Sequence, residues 1–250
     1  MSIHIHKDEH LITTIEEWLH FAPPKMRERH WKDGRSAKEL AKAFLETDTP
    51  QVPRELQDVL CSNHALGSVV LSDGIPEHKI PLDAYPGETR NSDLCCWGQA
   101  NTGIVAVSIE AKADESFGST IGKALTTAAP NSNVPKRISD LANAIFGHED
   151  ERIFNLRYQL LHASAASLIF AKELTAVAAV FIVFEFHGRS CLPKHIERNR
   201  RDFEQFISEL SNPLQCCDTG QLMGPFMVPG GEFVPSGIPL YIGRAVRHLV

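Results

Sequence analysis

The sequence predicts an α/β domain with a mixed central sheet flanked by helices. Two runs of strand-forming residues, Asp93–Gly98 and Ile104–Ala111, are joined by a short segment of turn formers, which is the pattern of a β-hairpin. A third run, Val177–Phe186, is β-branched and aromatic throughout, as is typical of a strand buried on both faces. Helical patterns separate the hairpin from this strand, and that alternation favours an α/β fold over an all-β fold.

Length, charge and hydropathy limit the class of protein. With 250 residues, 43% of them hydrophobic, the chain can bury one sizeable core. We therefore expect a single domain with N-terminal helices over 1–63, a core over 64–186, and a C-terminal helix and tail over 187–250. The formal net charge of −6 gives no overall field that would attract nucleic acid. No apolar run is long enough to span a bilayer and no apolar signal core begins the chain, so a cytoplasmic location without a membrane partner is expected.

Helix signals dominate the first third of the chain. Residues 14–17, Thr-Ile-Glu-Glu, form a capping box, so a short helix begins there and ends before Pro23. A second helix is predicted from Ser36 to about Glu46, and Pro53 can begin a third. The histidines at positions 4, 6 and 10 are assigned to an exposed N-terminal strand rather than to a metal site.

The remaining elements follow from apolar periodicity and from turn formers. In chain order they are a strand at Leu66–Ser72, a proline-rich connection at Gly74–Asn91, the hairpin, helices at Phe117–Ala128 and Arg137–Phe146, the longest helix at Asp150–Leu174, the buried strand, a helix at Lys194–Leu210, and an edge strand at Ile238–Val246.

The predicted hairpin brings three ionisable side chains to one place. A loop of two or four residues centred on Asn101–Thr102 pairs Trp97 with Ala106, Cys95 with Ser108, and Asp93 with Glu110. Lys112 lies two residues beyond Glu110 and therefore points to the same face. Two carboxylates and an ammonium at the end of a buried strand predict a site for a divalent cation, Mg²⁺ or Mn²⁺. The alternative is a solvated strand end, where Glu-x-Lys sequences are also common.

The order of these motifs resembles a known superfamily. An acid on one strand followed by Glu-x-Lys on the next, as in Asp93 and Glu110-Ala111-Lys112, is the signature of the restriction-endonuclease-like, or PD-(D/E)XK, nucleases. The chain is also similar to an uncharacterised bacterial domain family within or near that fold. In that family a Ser-x-x-Glu-Leu-Ala helix precedes the site and a Tyr-Gln-Leu-Leu-His helix follows it, and Ser36–Ala41 and Tyr158–His162 match these helices in order.

The resemblance implies a restriction-endonuclease-like fold and metal-dependent cleavage of phosphodiesters in nucleic acid, with DNA the expected substrate. Asp93 and Glu110 would be metal ligands, and Lys112 would orient the attacking water or balance charge in the transition state. Glu39, on the early helix, would be a further ligand. Alternatively, Ser36 and Glu39 form a capping box.

A polar stripe on the predicted longest helix supplies two more candidates. Arg152, Asn155, Gln159 and His162 recur at three- and four-residue spacing and therefore share a face. The resemblance implies that Gln159 reaches the active site, where it would bind the lysine or the water. His162 would then bind a phosphate or the leaving group. Alternatively, the stripe is the solvent-exposed face of the helix.

Two functions stay open on the sequence alone. The first is a metal-dependent nuclease that acts on nucleic acid. The second is a catalytically silent domain of the same fold that binds a protein or a nucleic acid. The acidic net charge favours the second, whereas the complete Asp–Glu–Lys set favours the first. A homodimer is compatible with either function.

Overall fold

The computed structural model of the protein describes residues 1–25, 27, 30–86, 89–189, 191–211 and 218–249. Among these residues, eight strands form one sheet: β1 His4–Lys7, β2 His10–Leu11, β3 Val70–Ile80, β4 Arg90–Ala100, β5 Gly103–Lys112, β6 Ala178–His187, β7 Leu222–Phe226 and β8 Leu240–His248. The helices described are α1 Ile15–Phe21, α2 Ser36–Phe44, α3 Arg54–Cys61, α4 Ile121–Thr127, α5 Val134–Phe146, α6 Tyr158–Glu173 and α7 Pro193–Leu210.

The sheet is mixed, with the strand order β2-β1-β3-β4-β5-β6-β8-β7. β3, β4 and β5 are antiparallel neighbours, whereas β5, β6 and β8 run parallel to one another. Helices α4 to α6 connect β5 to β6 in the sequence, and α7 follows β6. This arrangement confirms the predicted α/β class with a mixed central sheet flanked by helices.

Helices cover both faces of the sheet. On one face, α5, α6 and α7 bury a core that includes Leu160 and Phe206. On the other face, α1, α2 and α3 bury a second core around Phe44. Phe181 and Ile182 are neighbours on β6 and belong to opposite cores, so the prediction of a strand buried on both faces is confirmed.

The predicted proline-rich connection over 74–91 is wrong in its first half. Residues up to Ile80 continue β3, which pairs with β4 along its length. Pro76 is tolerated in this strand because β1 pairs with β3 at Asp73 and Gly74, before the proline, and β3 is an edge strand where the proline lies. The strand predicted at 66–72 is correct from Val70 onwards.

The long helix predicted over 150–174 is interrupted. A 3-10 turn at Glu151–Ile153 precedes α6, which begins at Tyr158. Between them, the Leu156 carbonyl accepts a 2.9 Å hydrogen bond from the Ile121 N–H, so this stretch pairs with another segment instead of continuing a helix. The longest helix described is α7, and none of the described helices is long and apolar enough to cross a membrane.

The polar stripe assigned to that long helix is consequently wrong. Gln159 and His162 share α6, whereas Arg152 and Asn155 precede it. Arg152 instead pairs with Asp150 at 2.8 Å on the surface of the protein. Of the four residues in the predicted stripe, Gln159 and His162 are the two that share a helix.

The ends of the chain also differ from the prediction. The strand predicted at the edge of the sheet is β8, and it lies inside the sheet between β6 and β7. The edge strand β7 contains Gly224 and Pro225, residue types that are depleted in strands, so its sequence does not indicate a strand. The first 63 residues contain β1 and β2 beside the predicted helices, and Ile5 of β1 is fully buried in the sheet.

Candidate active site

Asp93 lies where the β4–β5 ladder ends. The ladder pairs Trp97 with Ala106, Cys95 with Ser108 and, as its last pair, Leu94 with Ile109. Just beyond this pair, the backbone N–H of Ala111 donates a 2.7 Å hydrogen bond to the Asp93 carboxylate. The predicted register is confirmed along the ladder, and the Asp93 side chain is fixed against β5 next to Glu110.

Glu110 is the centre of a cluster of polar side chains that also contains Glu77, Arg90, Asp93, Lys112 and Gln159. Its side chain is 3% exposed and accepts hydrogen bonds from Lys112 Nζ at 2.7 Å, from Gln159 Nε2 at 2.5 Å, and from the Arg90 guanidinium. Lysine and glutamine share one carboxylate oxygen, and arginine binds the other. A buried charge requires paired charges and hydrogen bonds, and two cations and an amide meet that requirement here. The structure thus brings Lys112 and Gln159 into direct contact with Glu110, and the Gln159 amide donates to this carboxylate rather than binding the lysine.

The two carboxylates differ in charge at neutral pH. Burial alone would raise the pKa of Glu110, but the charges of Lys112 and Arg90 outweigh it and lower that pKa to about 2. Burial, followed by the charge of Glu110, raises the pKa of Asp93 to about 7. Burial alone would lower the pKa of Lys112, but Glu110 and Asp93 raise it, so the ammonium stays charged. Glu110 is therefore ionised at pH 7, whereas Asp93 is partly protonated.

Two members of the cluster are absent from the sequence prediction. Glu77 on β3 accepts a hydrogen bond from Asn91 Nδ2, and burial followed by the charge of Asp93 raises its pKa to about 8. Arg90 begins β4, has a side chain 9% exposed, and donates to Glu110. Both residues lie in the stretch predicted to be a connection, so no strand alternation pointed to them. A prediction that β3 pairs with β4 would have identified Glu77 and Arg90.

Glu39 lies on the other side of the sheet. Its helix, α2, packs into the core opposite α6, and its carboxylate accepts hydrogen bonds from the Gly34 N–H at 2.8 Å and from Lys42 Nζ at 3.0 Å. Gln159 approaches Glu110 from α6 on the first face. The structure therefore does not bring Glu39 to the carboxylates of the cluster.

The alternative prediction for Ser36 and Glu39, a capping box, is not formed. Helix α2 begins at Ser36 itself, with Arg35 as the N-cap residue. The Ser36 hydroxyl instead donates a 2.6 Å hydrogen bond to Glu115, three residues beyond Lys112. This bond ties the start of α2 to the segment that follows β5.

His162 lies one turn after Gln159 on α6. Its ring centroid is 4.9 Å from that of Tyr158, in an edge-on contact. Burial, followed by the charge of Arg90, lowers the pKa of His162 well below its ordinary value, so the imidazole is neutral at pH 7. Its buried Nδ1 has no hydrogen-bond partner in the part of the chain that the structure describes. The neutral ring thus has one donor nitrogen and one acceptor nitrogen.

A cavity of about 740 Å³ opens over the cluster. Arg90, Lys112, Gln159 and His162 line it, together with residues from the segment between β5 and α4. Two cationic side chains therefore face this cavity, although the whole chain carries a formal charge of −6. Glu115 lines the same cavity, and Arg90 and Lys112 are both paired with Glu110, so charges of both signs surround this cavity.

Carboxylate oxygens suit a hard divalent cation. Among the described residues, no group of three or more His, Cys, Asp or Glu side chains is arranged to hold a metal ion. Mg²⁺ usually needs only one or two carboxylates, with water and substrate phosphate completing its shell. Asp93 and Glu110 can supply these, since one Asp93 oxygen is not engaged by Ala111 and the second lone pair of the Arg90-bound Glu110 oxygen remains. Asp93 and Glu110 are thus the carboxylates that a magnesium or manganese ion would use at this place.

Comparison with known proteins gives one family match. A family model described as a domain of unknown function (DUF6946) matches residues 11–248, a range that includes every member of the cluster. No curated protein and no solved structure matches the chain. The family description assigns no activity, so function has to be inferred from the site.

Proposed function

The chain belongs to the family of domains of unknown function DUF6946, and we propose that it is a metal-dependent phosphodiesterase that cleaves nucleic acid at Asp93, Glu110 and Lys112. The fold we propose is restriction-endonuclease-like, the metal Mg²⁺ or Mn²⁺, and the substrate DNA. One observation carries the proposal: the ammonium of Lys112 and the amide of Gln159 converge on Glu110 beside Asp93, at the wall of an open cavity.

Each side chain has a chemical role in this proposal. Asp93 and Glu110 would hold the ion, which when bound polarises the scissile phosphate and acidifies a water. Lys112 is charged and 6% exposed, so it can stabilise the negative charge that develops on the phosphate. Gln159 holds the Glu110 carboxylate in one orientation, and a fixed orientation reduces the reorganisation needed during reaction.

His162 contributes a neutral hydrogen-bonding group. Its ring lines the same cavity as Lys112, and the lowered pKa keeps it uncharged at pH 7. A neutral imidazole can donate a hydrogen bond to a phosphate oxygen or to the leaving group without adding a charge to the site. We assign it to the phosphate or leaving group and not to the metal.

One observation favours the second candidate, a catalytically silent domain that binds a partner through the same face. Arg90 and Lys112 already neutralise Glu110, and one hydrogen bond or more reaches each of its oxygens. A carboxylate saturated in this way can be a structural part of a binding surface. The two candidates differ in one measurable respect, because only the nuclease requires Lys112 for bond cleavage.

Nicking of supercoiled plasmid by the purified protein tests the proposal. The assay is run with Mn²⁺ or Mg²⁺ at low salt, which offsets the acidic surface, and with single-stranded DNA and RNA alongside. The wild type should cut, and EDTA and Lys112→Ala should each abolish cutting. Lys42→Ala is the matched control, since Lys42 pairs with Glu39 at 3.0 Å on the opposite face. Wild type and Lys112→Ala that are equally inert, or equally active, would overturn the nuclease assignment.

A further inference from the structure

Three cavities follow one another beside the proposed active site. Arg90 and Tyr158 line both the cavity of about 740 Å³ over the cluster and a second one of about 400 Å³. Thr89 and Asn91 line both this second cavity and a third one of about 600 Å³. Each volume lies within the range of about 300–1,000 Å³ for pockets that hold one small molecule. The series therefore suits consecutive units of an extended chain better than a single bulky ligand.

Two lysines in the third cavity have no carboxylate partner among the described residues. Lys7 on β1 donates to the backbone carbonyls of Pro76 at 2.9 Å and Glu77 at 2.8 Å, and these neutral acceptors leave its charge and its third N–H free. Lys79 on β3 is exposed in the same cavity. Burial lowers the pKa of Lys7 and the charge of Lys79 lowers it further, so the two ammonium groups are close enough to repel each other.

The acids near these lysines do not cancel their charge. Glu77 is the carboxyl group that lines the same cavity. It accepts a hydrogen bond from Asn91, and burial raises its pKa to about 8, so it is mostly protonated at pH 7. Asp8 follows Lys7 in the chain and acts on its pKa, but Asp8 does not line the cavity. Two ammonium groups thus face at most one carboxylate, and such a surface favours an anionic ligand.

The two lysines lie in line with the proposed active site. Four neighbouring strands, β5, β4, β3 and β1, carry in that order Lys112, Arg90, Lys79 and Lys7. Lys79 pairs in register with Asn91, the residue that follows Arg90. Neighbouring strands are about 4.8 Å apart, so three steps from β5 to β1 cover about 15 Å. At roughly 3.4 Å per nucleotide in one strand of B-DNA, this distance corresponds to about four nucleotides.

The remaining wall of the third cavity is apolar and aromatic. Phe21, Ala22 and Pro23 form it. The Phe21 ring is stacked on the His10 ring, with 4.2 Å between their centroids, and this contact fixes its orientation. A positively charged groove with an aromatic side chain is the combination that binds single-stranded nucleic acid, because lysines contact the backbone and unpaired bases stack on the ring.

We propose that an unpaired strand of nucleic acid runs from the proposed active site to Lys7 and Lys79, which bind its backbone phosphates. This inference rests on the proposed function, because it assigns the path of the substrate strand beyond the cleaved bond. Strands of about four nucleotides or more reach the two lysines, whereas shorter ones do not. The expected substrate is therefore single-stranded DNA or an unpaired strand end rather than the interior of a duplex.

Fluorescence anisotropy in EDTA tests this path without requiring catalysis. The probes are labelled oligothymidylates of two, four, eight and twelve nucleotides, with a blunt duplex and a peptide of about ten glutamates as competitors. The wild type should bind the eight-nucleotide strand at low salt, more tightly than the two-nucleotide one. Its affinity should fall as salt rises, because each phosphate contact in a single strand contributes about −0.7 to the slope of log K against log salt.

Matched variants locate the binding. Lys7→Gln and Lys79→Gln each remove one charge and keep an amide that can donate to a carbonyl. Each should weaken binding of the eight-nucleotide strand at least about threefold, reduce its salt slope by about 0.7, and leave the two-nucleotide strand unaffected. Lys172→Gln is the control, because Lys172 is exposed on α6 about 20 Å along the helix from Gln159. It should change neither the affinity nor the slope.

Several results would overturn the path. They are an absence of single-strand binding at low salt, binding that neither Lys7→Gln nor Lys79→Gln weakens, and an equal loss in Lys172→Gln, which would indicate a general effect of charge. Tighter binding of the blunt duplex would assign the groove to paired DNA. Tighter binding of the glutamate peptide would assign it to an acidic protein.

The outcomes separate this inference from the proposed function. Single-strand binding that depends on Lys7 and Lys79, in a protein that nicks no nucleic acid, supports the path and overturns the cleavage. Manganese-dependent nicking by a protein whose single-strand binding is the same in Lys7→Gln and Lys79→Gln as in the wild type supports the cleavage and overturns the path.

Discussion

Gln159 on α6 donates a 2.5 Å hydrogen bond to Glu110 on β5, across 49 positions of the sequence. This hydrogen bond connects α6 directly to the cluster around Glu110 on the sheet. Glu110 also accepts from Arg90 and Lys112, so one carboxylate joins two strands and a helix. The position of this carboxylate consequently depends on all three elements.

Removal of the Gln159 amide should therefore loosen Glu110 without abolishing its charge. We expect Gln159→Leu to lower the free energy of unfolding by about 1.5–3 kcal/mol, the usual loss when a hydrogen bond to a charged group is broken. Urea denaturation measures this change. Gln57→Leu, which also removes a side-chain amide but lies on α3, is the control for the loss of a glutamine away from the cluster. An unchanged unfolding free energy in Gln159→Leu would contradict the role assigned to this bond.

The two acids of the cluster should respond in opposite ways to neutralisation. Glu110→Gln leaves the buried cations Arg90 and Lys112 without their shared carboxylate, so it should cost about 3–5 kcal/mol of stability. Asp93→Asn removes a repulsive charge and keeps an oxygen for the Ala111 N–H, so at pH 8 the metal-free variant should be as stable as the wild type or more stable. Denaturation of both variants at pH 8 checks the contrast, and equal destabilisation would contradict it.

Much of this cluster could be predicted from the sequence, because its geometry is local. A two-residue turn and the period of two in a strand place Asp93, Glu110 and Lys112 without any tertiary information. Glu39 could not be placed, since the face of the sheet that α2 covers depends on packing. Arg90 and Glu77 could not be predicted either, because a glycine and a proline lower the strand propensity of β3, the strand that positions them.

The interrupted helix before α6 shows a second limit. From Asp150 onwards, residues of like polarity recur at three- and four-residue spacing, and local propensity also favours a helix there. The backbone of Leu156 instead bonds to Ile121, far away in the sequence, and that tertiary pairing outweighs the local preference. Gln159 and His162 still share a face because both lie within the part that is helical.

The acidic cluster should make stability depend on pH in a defined direction. The pKa of Glu77 is about 8 in the folded protein, raised by burial and then by Asp93, against about 4.3 in an unfolded chain. A raised acid pKa means that the folded state binds the proton more tightly, so stability is fully present below pH 4 and is lost progressively as pH rises towards 8. Glu77→Gln should flatten this loss between pH 5 and 9. The melting temperature measures it, with the exposed Glu149→Gln as control, and an equal slope in wild type and Glu77→Gln would contradict the assignment.

Metal binding should raise the melting temperature through Asp93 and not through Glu39. A ligand that binds only the folded state stabilises it by mass action, so Mg²⁺ or Mn²⁺ should shift the wild-type transition upwards with concentration. Asp93→Asn should lose this response. Glu39→Gln should keep it, because Glu39 bonds to Gly34 and Lys42 on the opposite side of the sheet. Loss of the response in Glu39→Gln, with Asp93→Asn unaffected, would place the ion elsewhere.

Exchange of Lys112 for arginine should show whether a positive charge at this position is sufficient or whether a compact donor is also required. Lys112 is 6% exposed, lies 2.7 Å from Glu110 and sits over the ring of Phe117 at 5.6 Å, so a guanidinium can keep the ion pair at this position. It cannot place one compact donor beside a single water, since its donors are spread over a planar fork. Lys112→Arg should therefore retain a metal-dependent shift in melting temperature and lose nicking of plasmid, as should Lys112→Ala. Full nicking activity in Lys112→Arg would show that only a positive charge is required, and the role of Lys112 in orienting water would have to be abandoned.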